Sequence, residues 1–453
     1  MDERIDVIVV GMGPGGEEVA NRLAEAGLQV VGIEERLLGG ECPYFACVPT
    51  KMMVRGSDLL SEARRVPGMS GDTSVTSDWS PVARRVRDDA TDNWDDRVAV
   101  ERFEKFGGHF VRATGRFLAR DRIAAGGRTF VAERGVVIAT GTSPAVPPID
   151  GLSDVRYWTN RDAVKTEVVP RSLAVLGGGP VGLELAQVFT RFGARVTIIE
   201  ASERLVANDE PESSELIEAV LRREGVEVRT GSGATRVSSD DGGVHIALSN
   251  GETVSAEQLL VAVGRRNNLP ALQVEKAGLD AKARFVEVDD NMRAAPGIWA
   301  IGDITGKGAF THVAMYQADI AVADILGQEH APADYRALPR VTFTDPEIGS
   351  AGLTEKQARD QGLNVRTGIY DIAKTARGWI HKVGNDGFIK VVEDADRGVL
   401  VGATSVGPSG GEVLAMLTVA VHAEVPVSKL QTMITAYPTF HRGIGDALQN
   451  LKQ

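Results

Sequence analysis

The amino-acid sequence predicts an α/β fold with two similar βαβ units, the second inserted in the first, and an α+β segment at the C-terminal end. Three observations lead to this prediction: a glycine-rich pattern that occurs twice, β-branched runs that flank its second copy, and a change of pattern near residue 335. The length of 453 residues agrees, because roughly 150 residues per domain gives about three domains. Hydrophobic residues make up 43% of the chain, which is enough for large cores.

The glycine-rich pattern is part of a longer repeat. Residues 5–10 form a β-branched run, residues 11–16 are rich in glycine, and a helical pattern follows up to Gly27. The same order of strand, loop and helix returns 166 positions later, at residues 173–176 and 177–182. Six residues recur at this offset: Gly11, Gly13, Gly16, Glu18, Gly27 and Glu34 return as Gly177, Gly179, Gly182, Glu184, Gly193 and Glu200.

Each residue type in the repeat has a physical reason if a dinucleotide binds there. The first glycine makes a tight turn, the second lets the backbone approach a pyrophosphate, and the third lets the helix pack on the strand. The helix N-terminus offers N–H groups and its positive dipole end to the phosphates. The acid 23 residues after the first glycine, Glu34 or Glu200, accepts hydrogen bonds from a ribose hydroxyl. One such pattern is a weak signal, but two in the same setting predict two Rossmann-like dinucleotide-binding domains.

The residues around the second copy predict that its domain is inserted in the first. A buried strand with a small-residue turn at residues 135–141 precedes it, and a similar run at residues 259–264 follows it. A further strand ends in Gly302 and Asp303, where a carboxylate could meet a cofactor hydroxyl. From about residue 335 the glycine pattern is absent, and strands alternate with helical stretches. The predicted domains are the first dinucleotide-binding domain at 1–147 with its return segment at 264–334, the second at 148–263, and an α+β domain at 335–453.

Charge and hydropathy exclude several classes of partner. The net charge of −12 repels phosphate backbones, so we expect no nucleic-acid partner. No apolar run approaches the ~18 residues of a membrane-spanning helix, so we expect no membrane segment. The N-terminal residues lack the basic region of a signal peptide. These features predict a reducing, cytoplasmic setting.

The two cysteines of the chain, Cys42 and Cys47, lie close together soon after Glu34. A zinc site needs about four ligands, and no second Cys or His cluster lies near, so no metal is predicted. Residues five apart in a regular helix rise about 7.5 Å, whereas bridged Cα atoms lie ~4.4–6.8 Å apart. A Cys42–Cys47 bridge therefore requires a distorted helix start, which Pro43 and the preceding glycine pair permit. A helix N-terminus also lowers the pKa of a thiol. We interpret the pair as reactive rather than as two inert buried thiols.

With these motifs the chain resembles the FAD-dependent pyridine nucleotide–disulfide oxidoreductases over essentially its whole length. The first fingerprint and the Gly-Gly-x-Cys-x4-Cys-x-Pro-Thr-Lys motif of that family are matched at residues 11–34 and 39–51. Three further family motifs are matched in order at residues 139–141, 263–265 and 302–303, and residues 343–349 resemble the start of the family's dimerisation domain. The resemblance implies a C-terminal dimerisation domain at residues 335–453 and a homodimer.

The resemblance also implies cofactors and site residues. FAD would bind at one set of residues: Gly11, Gly13, Gly16, Glu34, Thr140, Gly141, Gly302 and Asp303. NAD(P)H would bind at a second set: Gly177, Gly179, Gly182, Glu200 and Gly264. Cys47 would be the sulfur that faces the flavin, Cys42 the sulfur that meets the substrate, and Lys51 and Glu184 the ion pair near the flavin.

Glu200 bears on the choice of nucleotide. A carboxylate at this position accepts a hydrogen bond from a 2′-hydroxyl and repels a 2′-phosphate, so it favours NADH. Arg204, four residues further on, could accommodate the phosphate, and NADPH therefore remains an alternative.

The sequence departs from the family near its C-terminal end. Disulfide reductases of this family have His-Pro-Thr-x-x-Glu there, whereas this chain has Tyr437 and Arg442 at the His and Glu positions. A phenol with an ordinary pKa near 10 is a poor general base at neutral pH. His441 lies one position short of the Glu position and is interpreted as a surface histidine.

The overall prediction is an FAD-dependent NAD(P)H oxidoreductase with a redox-active disulfide. Electrons pass from NADH through FAD and the Cys42/Cys47 pair to a small disulfide or another acceptor, as in dihydrolipoamide dehydrogenase. Three alternatives stay open: a quinone-type reductase that uses the flavin directly, a mercuric reductase-like enzyme, and a non-enzymatic flavoprotein subunit. A mercuric reductase would need a C-terminal cysteine pair, and this chain has none.

Overall fold

A computed structural model describes residues 2–452, which form two compact units. The first unit consists of the described residues up to Pro49, Arg84–Ala145 and Arg265–Asp334. The second consists of Thr50–Ala83, Val146–Gly264 and the described residues from Tyr335 onward.

The first unit is built on an eight-stranded, mostly parallel sheet. Its central strand is a run of β-branched residues buried on both faces, as expected for a parallel sheet. Val7 and Val9 pack into the core below the helices Pro14–Glu25 and Thr311–Leu326, and Ile8 packs into the core on the opposite face. The strands in sheet order are Arg293–Ala295, Ile298–Ala300, Arg128–Ile138, Asp2–Val10, Val30–Glu34 and His109–Arg112, and Arg116–Ala119 with Arg122–Ala125 extends from Arg128–Ile138 as a hairpin.

The remaining elements of the first unit are short. Thr142–Pro144 pairs with Arg265–Asn267 in a separate two-stranded sheet. The other helical segments, including single turns, are Glu41–Tyr44, Arg85–Ala90, Asp92–Trp94, Arg97–Lys105, Leu269–Leu272, Val274–Ala277 and Gly302–Thr305. The helix Cys47–Arg64 begins in this unit.

The second unit contains three sheets. The parallel sheet has the order Glu227–Arg229, Arg195–Ile199, Ser172–Leu176 and Gln258–Val261. An antiparallel three-stranded sheet has the order Ala234–Asp240, Gly243–Leu248 and Thr253–Ala256. The antiparallel five-stranded sheet has the order Pro339–Thr342, Glu347–Gly352, Val399–Gly407, Phe388–Asp394 and Val365–Asp371.

Helices cover these sheets. The helix Pro180–Arg191 follows the strand Ser172–Leu176 in the chain. Pro180 is its first residue, where a backbone N–H would have no partner within the helix. The helix Gly410–His422 packs its apolar residues on the five-stranded sheet. The other helical segments are Ser80–Arg84, Leu152–Asp154, Asn160–Ala163, Pro211–Arg223, Glu355–Asp360, Ile372–Lys374, Ala376–His381, Val427–Gln431, Phe440–Arg442 and Gly443–Gln449.

The two units differ from the three predicted domains in two respects. The described residues from Tyr335 onward group with Val146–Gly264 in the second unit, whereas the prediction gave them a domain of their own. The chain passes between them at residues 145/146 and 264/265, beside the predicted boundaries at 147/148 and 263/264, but residues 50–83 group with the second unit rather than the first. Side-chain packing accounts for this difference, because the Trp79 ring lies 5.5 Å from that of Phe189 and 4.9 Å from that of Phe192. No helix within residues 2–452 is both long and apolar enough to cross a bilayer.

Candidate redox and dinucleotide sites

The first glycine-rich loop, residues 11–16, has a distinct role for each glycine. Gly11 has φ +94°, and a Cβ there would lie 2.4 Å from the Ala139 carbonyl oxygen. A Cβ on Gly16 would lie 2.0 Å from the Gly11 carbonyl oxygen, so only glycine lets the helix approach the strand this closely. A Cβ on Gly13 would meet no described atom within 4 Å. Packing within the described residues therefore does not require glycine at position 13. The open space beside Gly13 fits the close approach of a pyrophosphate.

The second loop, residues 177–182, repeats this geometry in the second unit. Gly177 has φ +107°, and its Cβ would lie 2.4 Å from the Ala262 carbonyl oxygen. A Cβ on Gly182 would lie 2.1 Å from the Gly177 carbonyl oxygen, whereas one on Gly179 would again meet no described atom within 4 Å. Two chain segments 166 residues apart thus build the same cradle.

Each loop is braced by the acid that the sequence assigned to a ribose. Glu34 Oε2 accepts a hydrogen bond from the Met12 amide (3.0 Å), and Glu200 Oε2 accepts one from the Gly178 amide (2.6 Å). Burial raises the pKa of Glu34, and the backbone hydrogen bond from Met12 opposes that shift. Carboxylate oxygens have further lone pairs, so each acid can hold its loop and still accept a ribose hydroxyl.

Asp303 lies in a polar cluster of the first unit. Its Oδ2 accepts a hydrogen bond from Thr142 Oγ1 at 2.6 Å and lies 3.5 Å from Arg265 Nε. Arg265 in turn donates to Thr142 Oγ1 (2.6 Å) and to the Thr142 carbonyl oxygen (2.7 Å). The carboxylate of Asp303 is therefore held in place beside a guanidinium.

The turn that carries Asp303 is fixed from below. Gly302 has φ +77°, and its amide donates to Gln317 Oε1 at 2.6 Å. Gln317 is fully buried, and its Nε2 donates to Thr305 Oγ1 at 3.1 Å. The amide side chain thus pins both ends of the short helical turn Gly302–Thr305.

Thr140 gives a second indication of a ligand in the first unit. Its Oγ1 is buried, yet it makes no hydrogen bond within residues 2–452. Such an orphaned hydroxyl is costly unless a ligand supplies a partner. Gly141 follows with φ +57°, and the position of its Cβ is also clear of described atoms. The open Gly13, the orphaned hydroxyl of Thr140 and the oriented Asp303 together fit a polyhydroxylated dinucleotide such as FAD.

The two cysteines lie on either side of a break between helices. Cys42 lies in the short helix Glu41–Tyr44, and Cys47 is the first residue of the helix Cys47–Arg64. Between them Phe45 leaves helical geometry (φ −137°, ψ −7°), and the amides of Phe45 and Ala46 both donate to the Glu41 carbonyl oxygen at 2.8 Å. This is the distorted helix start that a Cys42–Cys47 bridge requires.

The dithiol segment, defined here as residues 39–47, is tied directly to the first glycine-rich loop. The Gly39 amide donates to the Met12 carbonyl oxygen at 2.7 Å. Gly40 has φ +68°, and a Cβ there would lie 2.7 Å from the Cα atom of Gly13. At the other end of the segment, Cys47 Sγ lies 3.4 Å from Thr311 Oγ1. Both thiols are partly exposed, and they belong to the same unit as the Gly13 cradle.

In the second unit Lys51 and Glu184 form the ion pair that the resemblance implies. Lys51 Nζ lies 2.7 Å from Glu184 Oε2. Glu184 is 5% exposed, and its other oxygen accepts a hydrogen bond from the Phe343 amide at 2.9 Å. The Phe343 ring lies below the ammonium group, 4.6 Å from Nζ to the ring centroid, which adds a cation–π contact.

Arg204 does not extend from its loop. Its guanidinium donates to Ser214 Oγ at 2.6 Å and to the carbonyl oxygens of Ala207 (2.7 Å) and Asp209 (2.8 Å). The group therefore closes its own turn. Gly264, the last residue of the second unit before the chain crosses over, has φ +116° and no described atom within 4 Å of its Cβ position.

Tyr437 is 70% exposed in the second unit. The guanidinium of Arg442 lies 5.5 Å from the centroid of its ring. His441 Nε2 contacts Thr439 Oγ1 at 3.4 Å. A carboxylate in the Arg442 position would orient an imidazole, whereas the guanidinium only stacks on the phenol ring. Within residues 2–452 no group of three or more His, Cys, Asp or Glu residues could hold a metal ion.

Sequence reasoning did not single out several of the residues that shape these sites. Arg265 follows Gly264 in a motif that was noticed, so its position was a usable signal. Gln317 is the polar residue among the buried residues of the helix Thr311–Leu326, which is a weaker signal. Thr311 gave no signal, because its partner Cys47 is distant in sequence. Phe343 begins the motif at residues 343–349, but that motif does not indicate its contact with Glu184.

Comparisons with known proteins agree with this geometry. The family model described as pyridine nucleotide-disulphide oxidoreductase matches residues 5–318, and the model for the dimerisation domain of that family matches residues 338–448. Dihydrolipoyl dehydrogenase from Thermus scotoductus is 33% identical, with 98% of this chain and 97% of the relative covered. Mercuric reductase from Acidithiobacillus ferrooxidans is 32% identical, with 99% of this chain and 82% of the relative covered.

Solved structures with a similar fold belong to the same comparison. LpdA from Mycobacterium tuberculosis has a TM-score of 0.85 at 26% identity, with 99% of each chain covered. The HOCl-induced flavoprotein disulfide reductase RclA from Escherichia coli has a TM-score of 0.86 at 24% identity, with 99% of this chain and 100% of that chain covered, which shows the fold alone. The predicted fold class is confirmed. The chain belongs to the pyridine nucleotide-disulphide oxidoreductases, a family of enzymes that use FAD and NAD(P)H, and it is an FAD-dependent NAD(P)H disulfide oxidoreductase.

Proposed function

We propose that this enzyme takes electrons from NADH and delivers them through Cys42 and Cys47 to a small disulfide of the lipoamide class. One observation carries the proposal: the dithiol segment begins directly against the Gly13 cradle, with Gly40 packed on Gly13. A redox pair attached to the loop that binds the flavin dinucleotide can exchange electrons with that cofactor without a relay. The dihydrolipoyl dehydrogenases among the relatives suggest lipoamide as the first acceptor to try.

The protein would hold FAD through the first loop, the Thr140 hydroxyl and the Asp303 carboxylate. Bound there, FAD accepts a hydride from the nicotinamide and passes two electrons to a disulfide. The three glycines and Glu34 fit the pyrophosphate and a ribose, and the cluster around Asp303 fits the ribityl hydroxyls. The ion pair with Glu184 would hold the Lys51 ammonium group in a fixed position for the hydride transfer step.

We assign Cys47 as the sulfur that receives electrons and Cys42 as the sulfur that attacks the acceptor. Two electrons and two protons convert the Cys42–Cys47 disulfide into two thiols. The Cys42 thiolate then attacks the disulfide of the acceptor, forms a mixed disulfide and releases one acceptor thiol. Cys47 attacks Cys42, which restores the internal disulfide and releases the second acceptor thiol. The hydroxyl of Thr311 lies 3.4 Å from Cys47 Sγ, within reach of a hydrogen bond to that sulfur.

NADH is the proposed donor because Glu200 offers a carboxylate beside the second loop and the guanidinium of Arg204 is engaged in its own turn. Glu200 is in place to accept the 2′-hydroxyl, and a 2′-phosphate would meet its charge. Arg204, the residue that could have offset this repulsion, donates to Ser214, Ala207 and Asp209 instead.

The exposed C-terminal segment supports a homodimer. Ile434 is 97% exposed, and Met433 and Tyr437 beside it are also exposed, so a second copy would remove a cluster of apolar side chains from water. The dimerisation domain matched at residues 338–448 supports the same assembly. In the homodimer, Tyr437 would donate a hydrogen bond to the substrate disulfide. It would give weaker acid–base catalysis than a His–Glu pair provides. The need for NADH supports a cytoplasmic setting.

Steady-state turnover tests this proposal. The holoenzyme with NADH should reduce lipoamide, and glutathione disulfide serves as a second acceptor in the same assay. Cys42→Ser should abolish disulfide reduction but retain reduction of a one-electron dye, which needs only the flavin. Equal lipoamide turnover by the wild type and Cys42→Ser would contradict the role of the dithiol.

A further inference from the structure

The helix Pro180–Arg191 has three polar side chains on one buried face. Glu184, Gln187 and Arg191 lie three and then four residues apart, and they are 5%, 3% and 3% exposed. Residues at this spacing share one side of a helix. Burying a row of polar groups is unfavourable unless each group is paired, so the partners of these residues show what the row does.

All three side chains bind one short segment, residues 343–345. Glu184 Oε1 accepts from the Phe343 amide at 2.9 Å. Gln187 exchanges two bonds with the backbone of Asp345, accepting from its amide (2.8 Å) and donating to its carbonyl oxygen (2.9 Å). Arg191 Nη2 donates to Asp345 Oδ2 at 2.7 Å. The segment is therefore held along its whole length by one face of the helix.

Arg191 is the charged centre at the far end of this row. Its Nη1 donates to Asp58 Oδ1 at 2.8 Å, and its Nε and Nη2 donate to the two oxygens of Glu224 at 2.9 and 2.7 Å. With Asp345 this makes three carboxylates around one guanidinium. The fork geometry of arginine suits such multiple pairing, whereas lysine offers a single point charge.

The helix Cys47–Arg64 closes the arrangement. Lys51 binds Glu184, and Asp58, seven residues later on the same helix, binds Arg191. Seven residues correspond to about 10.5 Å along a helix axis. The two ion pairs therefore join the same two helices at two levels, and the segment that carries Phe343 and Asp345 is bonded at both levels.

We propose that Arg191 is a positioning residue for hydride transfer. Through Asp345 it fixes the position of Phe343 relative to Glu184, and these two residues together hold the Lys51 ammonium group. This inference rests on the proposed function, in which the Lys51–Glu184 pair serves that step. Without Arg191, Asp58 and Glu224 lose the guanidinium that balances their charge, whereas Asp345 keeps its ion pair with Arg65 at 2.6 Å. The three acids then repel one another more strongly. This repulsion would shift Asp345 and with it the Phe343 amide and ring that hold Glu184 and Lys51.

The experiment is a double-mutant cycle in rapid-mixing kinetics. The FAD-loaded wild type, Arg191→Met, Glu184→Gln and the double variant are mixed anaerobically with NADH, and flavin bleaching gives a limiting rate constant and an apparent Kd. Displacements of about 1 Å can cost roughly 100-fold in rate, and we expect Arg191→Met to lower the rate constant by about 10- to 100-fold. The apparent Kd for NADH should change much less, because the second loop is untouched. The double variant should be scarcely slower than Glu184→Gln, because both changes act on one unit.

Arg366→Met provides the matched control, because Arg366 Nη2 pairs with the buried Glu393 at 2.8 Å in the same unit, on the strands Val365–Asp371 and Phe388–Asp394 rather than on the helices of this cluster. It should keep the wild-type rate and should add independently to Glu184→Gln. Arg191→Lys is the second variant, in case Arg191→Met loses FAD or folds poorly, and it should lose less rate than Arg191→Met. Wild-type rates in both Arg191 variants, or effects of Arg191 and Glu184 that simply multiply, would overturn the inference. A wild type that NADH does not reduce would instead refute the proposed function.

Discussion

Gly179→Ala separates nucleotide binding from folding in the second unit. The backbone of Gly179 has φ −87°, which alanine adopts without strain, and its Cβ would meet no described atom within 4 Å. The new methyl group would stand in the open space where we propose that a pyrophosphate binds. Gly182→Ala is the matched comparison, because there the Cβ would lie 2.1 Å from the Gly177 carbonyl oxygen.

The expected magnitudes differ for the two variants. Alanine in place of glycine at a helix N-cap costs about 1 kcal/mol or less of unfolding free energy. A methyl group that keeps the backbone from the phosphates loses hydrogen bonds to a charged group worth about 1.5–3 kcal/mol, or roughly a 10- to 100-fold weaker Kd. Gly182→Ala forces the helix away from the strand, and overpacking of this kind costs about 1–3 kcal/mol or more.

Isothermal titration of the oxidised holoenzyme with NAD⁺, together with thermal unfolding, measures both quantities. Gly179→Ala should bind NAD⁺ at least tenfold more weakly with nearly wild-type Tm and full flavin content. Gly182→Ala should show a clear fall in Tm. Wild-type NAD⁺ affinity in Gly179→Ala, or a fall in its Tm as large as that of Gly182→Ala, would refute the assignment of this loop.

Three further predictions concern donor choice, acid–base chemistry and pH. Glu200→Ala should raise the ratio of kcat/KM for NADPH over NADH by about tenfold or more, because a repulsive charge is removed; an unchanged ratio in initial-rate assays would count against Glu200 as the selector. Tyr437→His should raise the rate of lipoamide reduction near neutral pH, since an imidazole is the better base, and an equal or lower rate would leave Tyr437 without the role given to it. Burial raises the pKa of Asp58 to about 6 from 3.8, although Arg191 opposes the shift, so the folded state binds this proton more readily than the unfolded state does. The Tm of the wild type relative to Asp58→Asn should therefore rise as pH falls from about 6 towards 3.8, and a fall in that difference would show that the pKa is not raised.

Local pattern explains what could be predicted from the sequence. Each glycine of the two loops acts on atoms of its own βαβ unit, so spacing alone revealed the cradles around Gly13 and Gly179. The distorted backbone between Cys42 and Cys47 also followed from neighbouring residues, because Pro43 and two glycines precede the break. The Lys51–Glu184 pair came from the resemblance to a family, since nothing in the spacing of the two residues predicts their contact.

Long-range contacts explain what could not be predicted. Residues 50–83 lie within the predicted first dinucleotide-binding domain at 1–147, and the sequence gives no indication that Trp79 packs on Phe189 and Phe192. Arg204 was a candidate for a phosphate, and only the structure shows its guanidinium closing its own turn. The sequence assigned Glu34 and Glu200 to riboses. Their hydrogen bonds to the Met12 and Gly178 amides depend on how each loop folds back on its strand, which spacing does not show.

The most direct test of the central claim is the number of NADH equivalents that the holoenzyme accepts without oxygen. If Cys42 and Cys47 form a redox-active disulfide next to FAD, complete reduction should take two equivalents, one for the disulfide and one for the flavin. A long-wavelength absorption band from a thiolate beside the flavin should appear after the first equivalent, and Cys42→Ser should take only one. Complete reduction of the wild type by a single equivalent, as in Cys42→Ser, would contradict the account.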